Sequence, residues 1–177
     1  MSGPPALAGC RTVKIGPGEL HVSRDPDEAI VTVLGSCVAA CLYDPVAGVG
    51  GMNHYMLPQP GTPGEAESGS WNGAAARLRY GSAAMAELVE RLQQLGARVD
   101  RMEAKLFGGA RLGPENGMVG AGNARFAEAF LRRMGVVPLA RELGGGWARR
   151  VAFHAATGRA FMSELREKAP ARRAARG

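Results

Sequence analysis

Residues 30–58 read IVTVLGSCVAACLYDPVAGVGGMNHYMLP and are the most strand-like run in the chain. The β-branched segment Ala29–Leu34 forms one strand and stops at Gly35, a residue free to bend. Cys37–Tyr43 and Val49–Leu57 then form a hairpin around Asp44-Pro45-Val46-Ala47-Gly48, with Asp first and Pro second as a type I turn prefers. If Tyr43 pairs with Gly48, Cys37 lies directly opposite His54; if Asp44 pairs with Val49, the two are diagonal neighbours. Either register puts them on one face, because side chains alternate with period two. A one-residue bulge at Gly48 would break that parity.

Outward from this stretch, residues 1–10 are rich in Gly, Pro and Ala and read as a disordered N-terminus. Thr12–Val22 alternates weakly around Gly16-Pro17-Gly18, which reads as a short hairpin. Pro58–Ser70 holds turn formers without periodicity and reads as a mobile surface loop. Met85, Leu88, Val89, Leu92 and Leu95 recur at helical spacing, with Ser82 a candidate N-cap and Gly96 suited to the left-handed C-cap. Val99–Phe107 is strand-like at its end, where Ala104 and Leu106 alternate with Lys105 and Phe107, and stops at Gly108-Gly109. Asn123 reads as the N-cap of a second helix with the stripe Phe126, Ala127, Phe130, Leu131 and Met134, closed by Gly135. Val136–Leu143, Val151–Ala155 and Arg159–Met162 are closing strands. The fold class is α+β: two main helices packed on a mixed, largely antiparallel sheet system. A single domain over 11–163 precedes a basic, disordered tail over 164–177.

At 177 residues the chain is long enough for one sizeable core. No apolar run approaches the roughly 20 residues of a membrane span, and the N-terminus lacks the charged and apolar regions of a signal peptide. The expected location is therefore cytoplasmic, with Cys10, Cys37 and Cys41 as free thiols. The net charge of +6 is concentrated in Arg141, Arg149, Arg150 and the tail. Without a zinc-finger spacing or an RNP-like aromatic motif, it reads as solvated surface plus tail rather than a nucleic-acid site.

Cys37 and His54 carry the chemistry. A cysteine in an apolar strand is most simply a small buried hydrophobe. This one follows Gly35-Ser36, a bend that leaves amide N–H groups free as oxyanion donors, and it has a histidine on the facing strand. A neighbouring imidazole generates the nucleophilic thiolate by taking its proton. His21 and His154 lie on weaker strands with no thiol at a definable register. Asn53 should point to the opposite face, whereas a Thr32 hydroxyl on the preceding strand could orient the ring, set against its plain reading as a good strand former. Cys37, Cys41 and His54 could instead hold a metal, but thiols four residues apart on a strand are wide for one tetrahedral ion and a fourth ligand is lacking. Cys41 reads as packing. The glycines at 108–109 and 144–146 match no phosphate-binding loop, and no cofactor is expected.

The run Leu34–Asp44 followed by Gly50–Pro58 closely resembles CheD, the chemoreceptor glutamine deamidases of bacterial chemotaxis. The resemblance extends through Glu103–Ala110 and Gly120–Asn123, and covers roughly Val13 to Met162. It implies Cys37 as nucleophile, His54 as general base and Thr32 as third member, with Ser36 and Gly35 beside the oxyanion. An arginine common in the family before the helix-starting Asn is Gly122 here. The implied fold is a layered sandwich similar to the catalytic domain of cytotoxic necrotizing toxins. The implied reaction turns receptor glutamines into glutamates through a thioester. The implied partners are the cytoplasmic helices of methyl-accepting chemoreceptors and a CheC-like phosphatase. A competing expectation is an adaptor that binds receptors and phosphatase with little catalysis of its own.

Overall fold

A computed structural model describes residues 7–61, 73–113 and 116–166. Nine strands fall into two sheets. β1 (Arg11–Lys14), β3 (Glu28–Leu34), β8 (Ala148–His154) and β9 (Arg159–Leu165) form a four-stranded sheet in the order β1-β3-β8-β9. β2 (Glu19–Ser23), β5 (Val49–His54), β4 (Val38–Asp44), β6 (Glu103–Gly108) and β7 (Pro138–Leu143) form a five-stranded sheet in the order β2-β5-β4-β6-β7. The β1–β3 and β6–β7 pairings are parallel and the others antiparallel.

β4 explains why the sheets stack. Its residues alternate between two apolar faces, so both sides are buried and the strand reads as a continuous hydrophobic run. Ala39 and Cys41 pack with Ile30, Leu34, Val151 and Phe153 of the four-stranded sheet. Val38, Ala40 and Leu42 pack on the other side with Met85, Leu88, Leu92 and Leu131 of the helices. The result is three layers, sheet on sheet on helices, with α1 (Gly73–Leu78), α2 (Gly81–Gln94) and α3 (Asn116–Arg133) covering the five-stranded sheet. No helix among the described residues is long and apolar enough to cross a membrane.

Several local expectations are corrected. Thr12–Val22 is not a hairpin: β1 joins β3 in one sheet while β2 joins β5 in the other, so the Gly16-Pro17-Gly18 turn carries the chain between layers. The N-cap of α2 is Tyr80 rather than Ser82, although the helix does end before Gly96 at φ +90°. Asn123 does not start a helix. It sits inside α3, fully buried. β9 continues to Leu165, past the expected end of the domain. Of residues 1–10, Leu7 is buried with Ala29 and Ala152, while residues 1–6 lie outside the described ones. So do 62–72, most of the expected loop, and 167–177 of the tail.

Candidate active site

The hairpin adopts the second of its two registers. Asp44 pairs with Val49 and Cys41 with Met52, so Cys37 and His54 are diagonal neighbours on one face. The turn follows from Asp44, whose fully buried carboxylate accepts the Val46 and Ala47 N–H groups at 2.8 and 3.0 Å and takes the Arg101 guanidinium at 2.7 Å. These partners hold its pKa down to about 2 despite burial. On the opposite face, the Asn53 carboxamide accepts the Ala40 N–H at 2.9 Å, as the alternation requires.

β1 ends at Lys14, opposite Val31 and so short of Thr32 and Val33, and a cleft of about 510 Å³ opens there. Cys37, His54 and Thr32 all line it. Cys37 is half-buried and His54 is 2% exposed. Thr32 Oγ1 lies 2.8 Å from His54 Nδ1 and 2.8 Å from the Ile15 carbonyl. A carbonyl only accepts, so the single hydroxyl proton goes to Ile15, and Thr32 accepts from the ring. That assigns the proton to Nδ1 and leaves Nε2 with its lone pair. Nε2 is buried and has no hydrogen-bond partner among the described residues. Burial lowers the His54 pKa to about 4, so the ring is neutral at pH 7.

Cys37 is not hydrogen-bonded to His54 at rest, because Nε2 has no partner. Burial pushes its thiol pKa up, so the resting pair is a neutral thiol and a neutral imidazole. Cys41 is 1% exposed in the core between the sheets, and burial raises its pKa strongly. His21 and His154 are engaged elsewhere, His21 with Glu28 at 2.6 Å and His154 with Thr157 and the Pro26 carbonyl. Among the described residues no three His, Cys, Asp or Glu side chains come together as a metal site.

The loop before Cys37 is held entirely through its carbonyls. Gly35 O accepts Ala110 N–H at 2.9 Å, Cys37 O accepts Gly109 N–H at 2.8 Å, and Ser36 O accepts Asn123 Nδ2 at 3.0 Å. No residue among those described accepts the Gly35 or Ser36 N–H, and the Cys37 N–H lies against its own sulfur. Gly108, at φ +111°, has no room for a side chain, since a Cβ there would collide with the Cys37 carbonyl. A Cβ on Gly120 of α3 would stand 2.6 Å from the Gly109 carbonyl, so the helix also approaches this loop through glycine. Asn123 ties the two halves together: its Nδ2 also donates to the Met56 carbonyl at 2.7 Å, and its own carbonyl accepts the Tyr55 hydroxyl at 2.7 Å. Read as a cap, its role in the site was missed. The close glycines at 117, 120 and 122 were the available signal for a helix pressed against backbone.

Residues 56–164 match the family model described as CheD, chemotactic sensory transduction. A protein of Caulobacter sp. (strain K31), named probable chemoreceptor glutamine deamidase CheD, is 48% identical over 83% of this chain and 74% of its own length. Proteins of the same name are 43% identical in Rhodopseudomonas palustris (strain BisA53), over 86% of this chain and 69% of theirs, and 45% identical in Acidiphilium cryptum (strain JF-5), over 91% and 82%. Among solved structures, a Bacillus licheniformis hypothetical protein, YfiH, aligns with TM-score 0.43 and 12% identity over 75% of this chain and 59% of its own. With the family model covering more than half of the sequence and these relatives most of it, the chain belongs to the CheD family.

Proposed function

We propose that this chain is a cysteine hydrolase that deamidates glutamine side chains of methyl-accepting chemoreceptors to glutamate, acting in the cytoplasm to set chemotactic adaptation. The observation that carries this reading is the His54 ring: neutral, fixed in one tautomer by Thr32, and with its basic Nε2 unpartnered in the cleft that Cys37 lines. The names of the relatives supply the substrate class.

Cys37 Sγ attacks the carboxamide carbon while its proton passes to His54 Nε2. The free N–H groups around Ser36 and Cys37 receive the oxyanion, with Gly35 allowing the bend that exposes them. His54 returns the proton to the departing ammonia, leaving a thioester on Cys37. It then takes a proton from water, which cleaves the thioester to glutamate and the free thiol. The Thr32 hydroxyl, held by the Ile15 carbonyl, stabilises the imidazolium formed in each step. No cofactor enters this scheme. All of these groups fall within residues 11–163, proposed as a single domain. The likeness to the catalytic domain of cytotoxic necrotizing toxins is part of this proposal and comes from the family resemblance.

Mass spectrometry of a receptor cytoplasmic fragment incubated with wild type or Cys37→Ala tests the reading. Wild type should convert glutamine to glutamate and Cys37→Ala should not. No conversion by wild type sinks the enzyme in favour of an adaptor that binds receptors and a CheC-like phosphatase. Equal conversion by the variant sinks the nucleophile.

A further inference from the structure

The catalytic cleft is flanked by two cations that the reaction does not use. Lys14 and Arg150 both line it, both are exposed, and among the described residues the lining includes no carboxylate. Neither forms an ion pair or a side-chain hydrogen bond among the described residues, whereas Arg11, Arg91 and Arg101 elsewhere on the surface each have a carboxylate partner. The nearest acidic side chain in sequence, Glu19, is turned onto the Gly16 N–H at 2.7 Å.

Register fixes how the two cations stand. Lys14 of β1 pairs with Val31 of β3, and Arg150 of β8 pairs with Val33 of β3. Partners across a ladder share a face, so Lys14, Val31, Val33 and Arg150 lie on the same side of the sheet. Two strand spacings and a two-residue offset put the Cα atoms of Lys14 and Arg150 roughly 12 Å apart. Val33, 47% exposed, and Val31 form an apolar strip between them. The two cations thus stand on the outer face with aliphatic surface between them, and the cleft they line continues past the end of β1 to Thr32, His54 and Cys37 on the inner face.

The geometry points to a substrate rule: the cleft selects glutamines carried on a helix with carboxylates about one turn to either side. Residues three or four apart share a helix face, and one turn on each side of a central residue spans about 11 Å. That matches the separation of Lys14 and Arg150, so both can meet a carboxylate while the central glutamine reaches toward Cys37. The inference rests on the proposed deamidase reading and names the surroundings of its substrate glutamine. Lys14 and Arg150 are specificity residues here. They touch the flanks and not the reacting amide, so they act on capture rather than on the chemical step.

The test uses the full chain and three alanine-rich helical peptides of equal length, each with one central glutamine flanked one turn away on both sides by Glu, by Ala or by Lys. Deamidation is followed by mass spectrometry, and binding of the same peptides to Cys37→Ala by fluorescence anisotropy. The expected kcat/KM order is Glu, then Ala, then Lys, with about a five- to tenfold step between Glu and Ala that lies in KM and shrinks at high salt. The double variant Lys14→Glu/Arg150→Glu should reverse the order. Equal kcat/KM for the three peptides with wild type overturns the rule, as does an unreversed order in a folded double variant. Binding reads the cations without turnover. Glu-flanked preference in binding with no turnover of any peptide sinks the deamidase reading and keeps the rule, whereas turnover without preference does the opposite. Absence of preference in both sinks the rule outright. The peptide series on wild type decides the matter even where the double variant does not fold.

Discussion

Thr32 Oγ1 and His54 Nδ1 stand 2.8 Å apart, and the direction of that bond is set by a third atom, the Ile15 carbonyl, which claims the hydroxyl proton. The threonine is thus an acceptor for the ring, and Nε2 is the basic nitrogen. Replacing Thr32 with Val should lower kcat/KM for deamidation by about ten- to a hundredfold, the worth of a buried donor left without its partner. Thr32→Ser keeps the oxygen and should recover most of the activity. Full activity in the Val variant, with a loss confined to Ser, would mean that the methyl packing, not the hydrogen bond, matters.

The buried neutral imidazole makes stability depend on pH. The folded His54 pKa of about 4 lies below the ordinary 6.5, so between these values the unfolded chain binds a proton that the folded one refuses. Stability is unaffected by His54 above pH 6.5 and falls as the pH drops through this window. Glu28, Asp44 and Glu87, whose carboxyls lie below their ordinary values, give up stability only below about pH 4.5. Denaturation at pH 6.5 and pH 5 should therefore cost wild type roughly 2 kcal/mol more than His54→Gln. Parallel losses in the two proteins would show that the histidine titrates normally.

Cys37 should behave as a thiol until substrate arrives. Burial raises its pKa above the ordinary 9.0, so iodoacetamide should modify it slowly at pH 7 and faster as the pH rises past 9. Cys41, enclosed between the sheets, should resist labelling until the protein unfolds. A rate that is already maximal at pH 7 would reveal a preformed thiolate–imidazolium pair. The sequence points to a thiolate formed by its imidazole neighbour, whereas burial keeps the resting pair a neutral thiol and a neutral imidazole.

Much of this site was readable without coordinates because period-two alternation fixes the face of a strand residue whatever its exact partner. Cys37 and His54 share a face in either candidate register, so the uncertain turn count did no harm. The turn itself needed tertiary information: Arg98 and Arg101, far along the chain, hold the Asp44 carboxylate that shapes it. For Thr12–Val22, local alternation predicted strands correctly but could not say that each pairs with a different sheet. Asn123 was misread for a related reason. Residues 116–122 have neither an apolar stripe nor good helix propensity, and their helix lies against the Gly109–Ala110 backbone, a contact no local pattern records.

Asn123 Nδ2 donates to the carbonyls of Ser36 and Met56, joining the loop that leads into Cys37 to the chain that leaves His54. It touches no reacting atom, so it is a positioning residue, and its loss should misplace the nucleophile relative to its base. Asn123→Ala leaves both carbonyls unpaired and should lower kcat about tenfold with little change in KM, since small misplacements cost rate before binding. Asn123→Asp should be worse than Ala, because it sets an oxygen acceptor against two carbonyl acceptors in a buried site. Deamidation kinetics at a temperature where all three proteins are folded, checked by thermal melts, give the comparison. An Asp variant as active as wild type would remove the bridge from the mechanism. A loss confined to KM would move Asn123 to substrate capture.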